Sequence, residues 1–175
     1  MSQGIRFLDG PNKNPSIEIS NKLYTIPLAL PEPYITNLVN SRLIKDAAAT
    51  LTADESGALC LFDAAAGFTY TLPAAVKGLW FEFLVTVTAT SVVHRIACAT
   101  GDFLLGAVNQ SPDGTDDVIT QSANGSTHLA WEGDGSTTGG IIGDWVKVTA
   151  ISGTQWVIEG FNTATGTEAT PFKTS

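Results

Sequence analysis

The chain predicts an all-β protein, an antiparallel β-sandwich or jelly-roll-like body preceded by an extended N-terminal arm. Three observations predict it. Beyond residue 50, apolar runs recur about every 8–14 residues, separated by Gly, Asn and Asp turns. Five of the eight prolines fall in residues 1–33, where they remove backbone donors and bias the chain to extended conformations. Charged residues make up only 15%, below the ~25% of an ordinary soluble protein, with Thr, Ser, Gly and Ala in their place.

The arm, residues 1–50, carries short alternating stretches at Ile17–Ile19 and Leu23–Ile26. These read as single extended strands with no partner close in sequence. Ile35, Leu38, Val39 and Leu43 stand at helical spacing, which admits a short helix over 35–46. A segment of this kind buries its apolar groups against something else, so Ile5, Phe7, Ile17, Ile19, Leu23, Tyr24 and Ile26 are the expected partner-binding residues.

The body, residues 51–161, opens on the turn Leu51–Gly57. Strands follow at Ala58–Phe62, Phe68–Leu72 and Leu79–Thr88. In the last, Trp80, Glu82, Leu84 and Thr86 take one face and Phe81, Phe83, Val85 and Val87 the other. Val92–Cys98 and Asp102–Val108 come next, then a loop, 109–117. Val118–Gln121 and Ser126–Glu132 flank Asn124-Gly125, a dipeptide that favours a hairpin turn. The glycine-rich stretch Gly133–Gly143 reads as a loop. Asp144–Ile151 and Gln155–Phe161 form a hairpin around Ser152-Gly-Thr. Residues 162–175 read as a polar tail. No ~35-residue repeat is visible, which argues against a propeller or solenoid.

Net charge is −8. Residues 1–50 hold five basic and four acidic side chains, and residues 51–175 hold four and thirteen. This balance argues against nucleic acid and against an anionic membrane surface. No apolar run approaches the ~18 residues of a membrane-spanning helix. Met-Ser-Gln-Gly does not resemble a signal peptide, so cytoplasmic synthesis and assembly are expected.

Chemistry is sparse in the sequence. His94 and His128 both lie in strands without a nucleophile motif. Cys60 and Cys98 sit in apolar runs and read as buried free thiols, although sequence leaves a pairing between them open. Asp113, Asp116 and Asp117 in one loop, with Glu132, Asp134 and Asp144 around the other, offer oxygen ligands for calcium, but the spacing is not that of an EF-hand. A solvated loop is the plainer reading. Trp80, Trp131, Trp145 and Trp156 stand at alternating strand positions, which favours packing over a carbohydrate platform. No catalytic residue, metal site or cofactor is expected.

Leu51–Gly57, then Phe62–Pro73 and Gly78–Phe83, followed by the closing Gly143–Val148 and Gly153–Ile158, resemble runs in β-rich structural proteins of tailed-bacteriophage virions. The resemblance covers about residues 51–161. It implies a structural role on the virion, most like a capsid decoration or cement protein on the capsid surface. The implied partners are the major capsid protein and copies of the chain itself, as a homotrimer. The alternative is a tail fibre or spike domain that binds a host receptor or glycan. An enzyme acting on polysaccharide has no motif behind it.

Overall fold

The computed structural model describes residues 43–112 and 117–175, together with the backbone strands β1 (Arg6–Asp9), β2 (Pro15–Ile19) and β3 (Lys22–Thr25). The chain divides into two compact units, Met1–Ser41 and Arg42–Ser175.

In the first unit β1 pairs antiparallel with β2, and β2 with β3. The strands of the arm therefore partner one another in sequence order, where isolated extended strands were expected. Ile5 and Ile26 lie outside the described residues, as does the stretch 35–42 of the expected helix.

The second unit holds β4 (Ile44–Lys45), β5 (Ala49–Thr50), β6 (Leu59–Phe62), β7 (Thr69–Thr71), β8 (Trp80–Val85), β9 (His94–Ala97), β10 (Phe103–Ser111), β11 (Ile119–Asn124), β12 (Ala130–Gly133), β13 (Trp145–Ala150), β14 (Gln155–Thr163) and β15 (Phe172–Lys173). Its one helical element among the described residues is the 3-10 turn Ala53–Glu55, where the Glu55 carboxylate accepts from Thr52 N–H at 2.9 Å and from Lys45 Nζ at 2.6 Å. Residues 44–45, the described end of the expected helix, form β4 instead.

Two sheets result, a seven-stranded one in the order β11-β10-β14-β13-β8-β6-β4 and a five-stranded one in the order β15-β12-β9-β7-β5. Both are mixed, which corrects the antiparallel expectation. From β4 to β9 the chain changes sheet at every strand. β4, β6 and β8 stack in parallel in one sheet, and β5, β7 and β9 in parallel in the other. This is a winding of three turns that no sequence repeat announced. Successive partners are 15 residues apart at Ile44–Leu59 and 23 apart at Leu59–Glu82, so no constant period exists to be seen. Parallel neighbours need a crossover of about a dozen residues or more, which the passage through the other sheet supplies.

The expected hairpin at Asn124-Gly125 is also corrected. β11 joins β10 in the larger sheet, while β12 joins β9 and β15 in the smaller. Asn124 still makes a turn. Its Oδ1 accepts from Ser126 and Thr127 N–H at 3.0 Å each, and Gly125 takes φ +75°. The chain leaves this corner toward the opposite sheet, because Leu104 N–H donates to His128 O at 2.8 Å and Cys98 N–H to Leu129 O at 2.8 Å. The hairpin of β13 and β14 forms as expected.

Both sheets feed one core. Cys60, Phe62, Phe81, Phe83, Val146, Val148, Trp156 and Ile158 enter it from the larger sheet, and Tyr70, Ile96, Trp131 and Phe172 from the smaller. Tyr70 Oη lies 3.0 Å from both Lys45 O and Leu61 O, tying a strand of the smaller sheet to two of the larger. The expected polar tail is part of this body. Asn162, Ala164 and Phe172 are buried, and β15 pairs with β12.

Candidate interaction surface

The outward side of the seven-stranded sheet carries the exposed aromatic residues Trp145 and Phe161. Its strands alternate faithfully: in β8 and β13 every second residue is buried, leaving Trp80, Glu82 and Leu84, and Trp145, Lys147 and Thr149, on the other side. A sheet with one solvated face normally carries polar residues there. This one sets large apolar side chains beside them. Cross-strand register lines up Thr120, Asn109, Phe161, Trp145, Leu84 and Leu61 in one row. The next row is Ser122, Ala107, Glu159, Lys147, Glu82, Leu59 and Ile44, and the third is Asn124, Leu105, Val157, Thr149 and Trp80.

Charge is confined to the middle row, where Lys147 stands between Glu159 and Glu82 with its Nζ 5.3 Å from the centre of the Trp80 ring. The most exposed large hydrophobic side chains of the face are Ile44 at 56%, Trp145 at 45% and Phe161 at 37%. Trp145 and Phe161 are direct cross-strand partners. Ile142, 64% exposed, precedes Trp145 by three residues. An aromatic pair on a face with charge in one row only has the composition of a protein-binding hot spot. The sequence held the signal, since both residues sit opposite the core positions of one hairpin, but their exposure was legible only with the sheet built.

The acidic loop residues are occupied by their own chain. Asp144 is fully buried. Its Oδ2 accepts from Gly140 N–H at 2.8 Å and Ile141 N–H at 3.1 Å, and its Oδ1 from Thr163 N–H at 2.7 Å. Burial pushes the carboxyl above its ordinary range, against the pull of those donors. Asp134 accepts from Ser136 N–H at 2.8 Å, Thr138 N–H at 3.0 Å and the Thr137 hydroxyl at 2.9 Å. Burial works against it too, but here the donors win and hold the carboxyl low. Glu132 pairs with Arg95. Gln110 Nε2 donates to Thr137 O at 2.8 Å and Asn162 Nδ2 to Thr138 O at 3.2 Å, so the glycine-rich stretch is pinned from β10 and β14. Among the described residues no group of three or more His, Cys, Asp or Glu is placed to hold a metal ion. Asp113 and Asp116 lie outside the described residues, and Asp117 is exposed.

His94 is a core residue. Its ring stacks on Phe62 at 4.6 Å, and Nε2 lies 2.8 Å from Val87 O, which makes Nε2 the protonated nitrogen of a neutral ring. Burial holds its pKa below the ordinary 6.5. His128 accepts from Asn124 N–H through Nδ1 at 3.0 Å. Cys60 and Cys98 are free thiols, Cys60 buried and Cys98 pushed up to about 12 by burial. Of the tryptophans, Trp131 and Trp156 are buried in the core, Trp80 is half-buried and Trp145 is exposed. The recess beneath Trp145, lined by Phe62, Phe83, Val85, Trp131 and Val146, is too small to admit water. No helix among the described residues is long and apolar enough to cross a membrane.

The side chains of the expected arm residues Phe7, Ile17, Ile19, Leu23 and Tyr24 lie outside the described structure. Their backbones fall in β1, β2 and β3, three neighbouring strands of one small sheet. Comparison of the whole chain with protein-family models, with curated proteins and with solved structures finds no match.

Proposed function

We propose that this chain is a structural virion protein, a capsid decoration or cement protein of a tailed phage that binds across capsomers and to copies of itself. In this reading the second unit is a two-sheet β-sandwich, and the first unit is the arm that reaches a neighbour. The observation that carries the reading is the outward apolar face of the seven-stranded sheet, centred on the exposed Trp145 and Phe161 pair. An exposed sheet face suits a broad protein surface, where a small-molecule site would be concave. The resemblance of residues 51–161 to phage structural proteins supplies the class of partner.

The test is loading onto shells assembled from the major capsid protein of the same virus. Trp145→Glu is expected to weaken loading about 30-fold, the loss of one hot-spot side chain of about 2 kcal/mol, while the protein stays folded. Deletion of residues 1–33 is expected to weaken it as well. Normal loading by both variants, or no loading by the wild type, would overturn the reading. A second reading, a tail-fibre domain that grips a receptor or glycan, draws on Trp145 and Ile142 beside the pinned loop 133–143. It predicts that tryptophan fluorescence responds to host polysaccharide, which a cement protein does not require.

A further inference from the structure

The two sheets of the second unit have four outer edges, and three of them are two-residue strands, β4, β5 and β15. So short an edge offers few groups in line to recruit another strand, and β4 and β15 each add a lysine, Lys45 and Lys173. Among the described residues the fourth edge carries neither of these guards. β11 runs for six residues, and the stretch Val118-Ile-Thr-Gln-Ser-Ala-Asn124 holds no charge, no proline and no glycine.

Its open backbone groups can be identified. Gly125 N–H donates to Leu104 O at 2.8 Å, one step beyond the Asn124–Leu105 pair of the β10–β11 register. Alternate pairs of an antiparallel ladder exchange both hydrogen bonds. Ala123, Gln121 and Ile119 therefore direct their backbone groups to β10, and Asn124, Ser122 and Thr120 direct theirs away. Asn124 N–H is taken by His128 Nδ1 at 3.0 Å. Thr120 and Ser122 are left with two N–H and two C=O groups at the edge, without a partner among the described residues. Both residues are exposed, as are Val118 at 60% and Ile119 at 39%.

We propose that β11 is a homodimerisation edge that pairs antiparallel with β11 of a second copy, about a twofold axis through Gln121. Thr120 of each copy then faces Ser122 of the other, and the open groups of both strands close four hydrogen bonds. Ile119 comes opposite Ala123 of the second copy. Asp117 comes opposite Gly125, so no like charges meet, although each chain carries −8. Charge also selects the occupant: two acidic chains can approach where neither is charged, and an antiparallel pair of identical strands is complementary to itself. The contact is one strand wide, well under the ~1,000 Å² of a durable interface. The dimer is therefore weak, with half-dissociation on the order of 100 μM. The virion reading also has copies of the chain bind one another; this contact is argued from β11 alone and needs no capsid.

Sedimentation equilibrium of the full chain tests it. Wild type is expected to show a monomer–dimer equilibrium. Thr120→Lys with Ser122→Lys sets lysine against lysine twice across the axis, and weakens the dimer about tenfold. Thr120→Lys with Ser122→Glu sets lysine against glutamate twice at the same exposed positions, and restores it. A wild type that stays monomeric at about 1 mM, a double-lysine variant that dimerises like wild type, or a Lys/Glu variant as weak as the double-lysine one would each overturn the proposal.

Discussion

Replacing Asp144 by Asn separates the chemistry of its carboxylate from its shape. The three backbone N–H groups of Gly140, Ile141 and Thr163 converge on two oxygens at 2.7–3.1 Å. An amide can offer its one oxygen to Gly140 and Ile141, and its NH2 then faces the Thr163 N–H. Two buried donors are left confronting each other, at about 1–3 kcal/mol each. Losing a buried charge returns part of that, since burial already pushes the carboxyl up. The net expectation is a loss of about 2–4 kcal/mol, or a urea midpoint about 1–2 M lower at an ordinary slope. Asp144→Ala orphans all three N–H groups and is expected to cost more. Asp134→Asn, in a half-buried loop that water reaches, is expected to cost less than either. Urea unfolding followed by the fluorescence of the buried Trp131 and Trp156 reads all three. If Asp144→Asn unfolds within about 0.3 M of wild type, the three donors do not depend on the carboxylate and the reasoning fails.

Acid stability depends on His94. Its folded pKa is below the ordinary 6.5, so the unfolded chain takes the proton first as pH falls. Its contribution is complete above pH 6.5 and declines below it. His94→Phe is expected to cost about 1 kcal/mol at pH 7.5, for the bond to Val87 O, and to narrow that gap at pH 5; parallel stability curves over that range would refute this. Gly106, in the middle of β10, takes φ +117°, and a Cβ there would come 2.3 Å from Ile158 O in the neighbouring strand. Gly106→Ala is expected to lower stability by at least about 2 kcal/mol, and a thermal midpoint equal to wild type would show that the β10–β14 joint yields.

The elements were more legible in the sequence than their partners. The alternation of Trp80, Glu82 and Leu84 against Phe81, Phe83 and Val85 is local information, and it survives intact. So does the β13–β14 hairpin, whose strands meet across a three-residue turn. The parallel pairs are a different matter. Leu59 finds Glu82 only after the chain has visited the other sheet, and nothing within either strand encodes that neighbour. Asn124-Gly125 carries the chemistry of a tight turn, yet the destination of the chain is set by Leu104 of the near sheet and Cys98 on the far side, whose N–H groups donate to His128 O and Leu129 O. The short strand β4 and the closing β15 escaped notice because two residues hold no periodicity. Trp145 and Phe161 were visible as strand residues, while their role depended on which side of the sheet the core would occupy. Asp144 looked like a loop acid; only the converging N–H groups make it an anchor.

The place of the β13–β14 hairpin in the larger sheet sets an order of events during synthesis. It sits between β8 and β10, pairing antiparallel with the one through β13 and parallel with the other through β14. Phe103 and Gln155, which open that parallel joint, are 52 residues apart in the chain. Until residues 145–163 leave the ribosome, β8 and β10 have no strand between them, and the apolar groups of Phe81, Phe83 and Leu104 lack their final cover. The last long hairpin to be made is thus the piece that closes the sheet, so nascent chains stopped short of it would be the sticky ones.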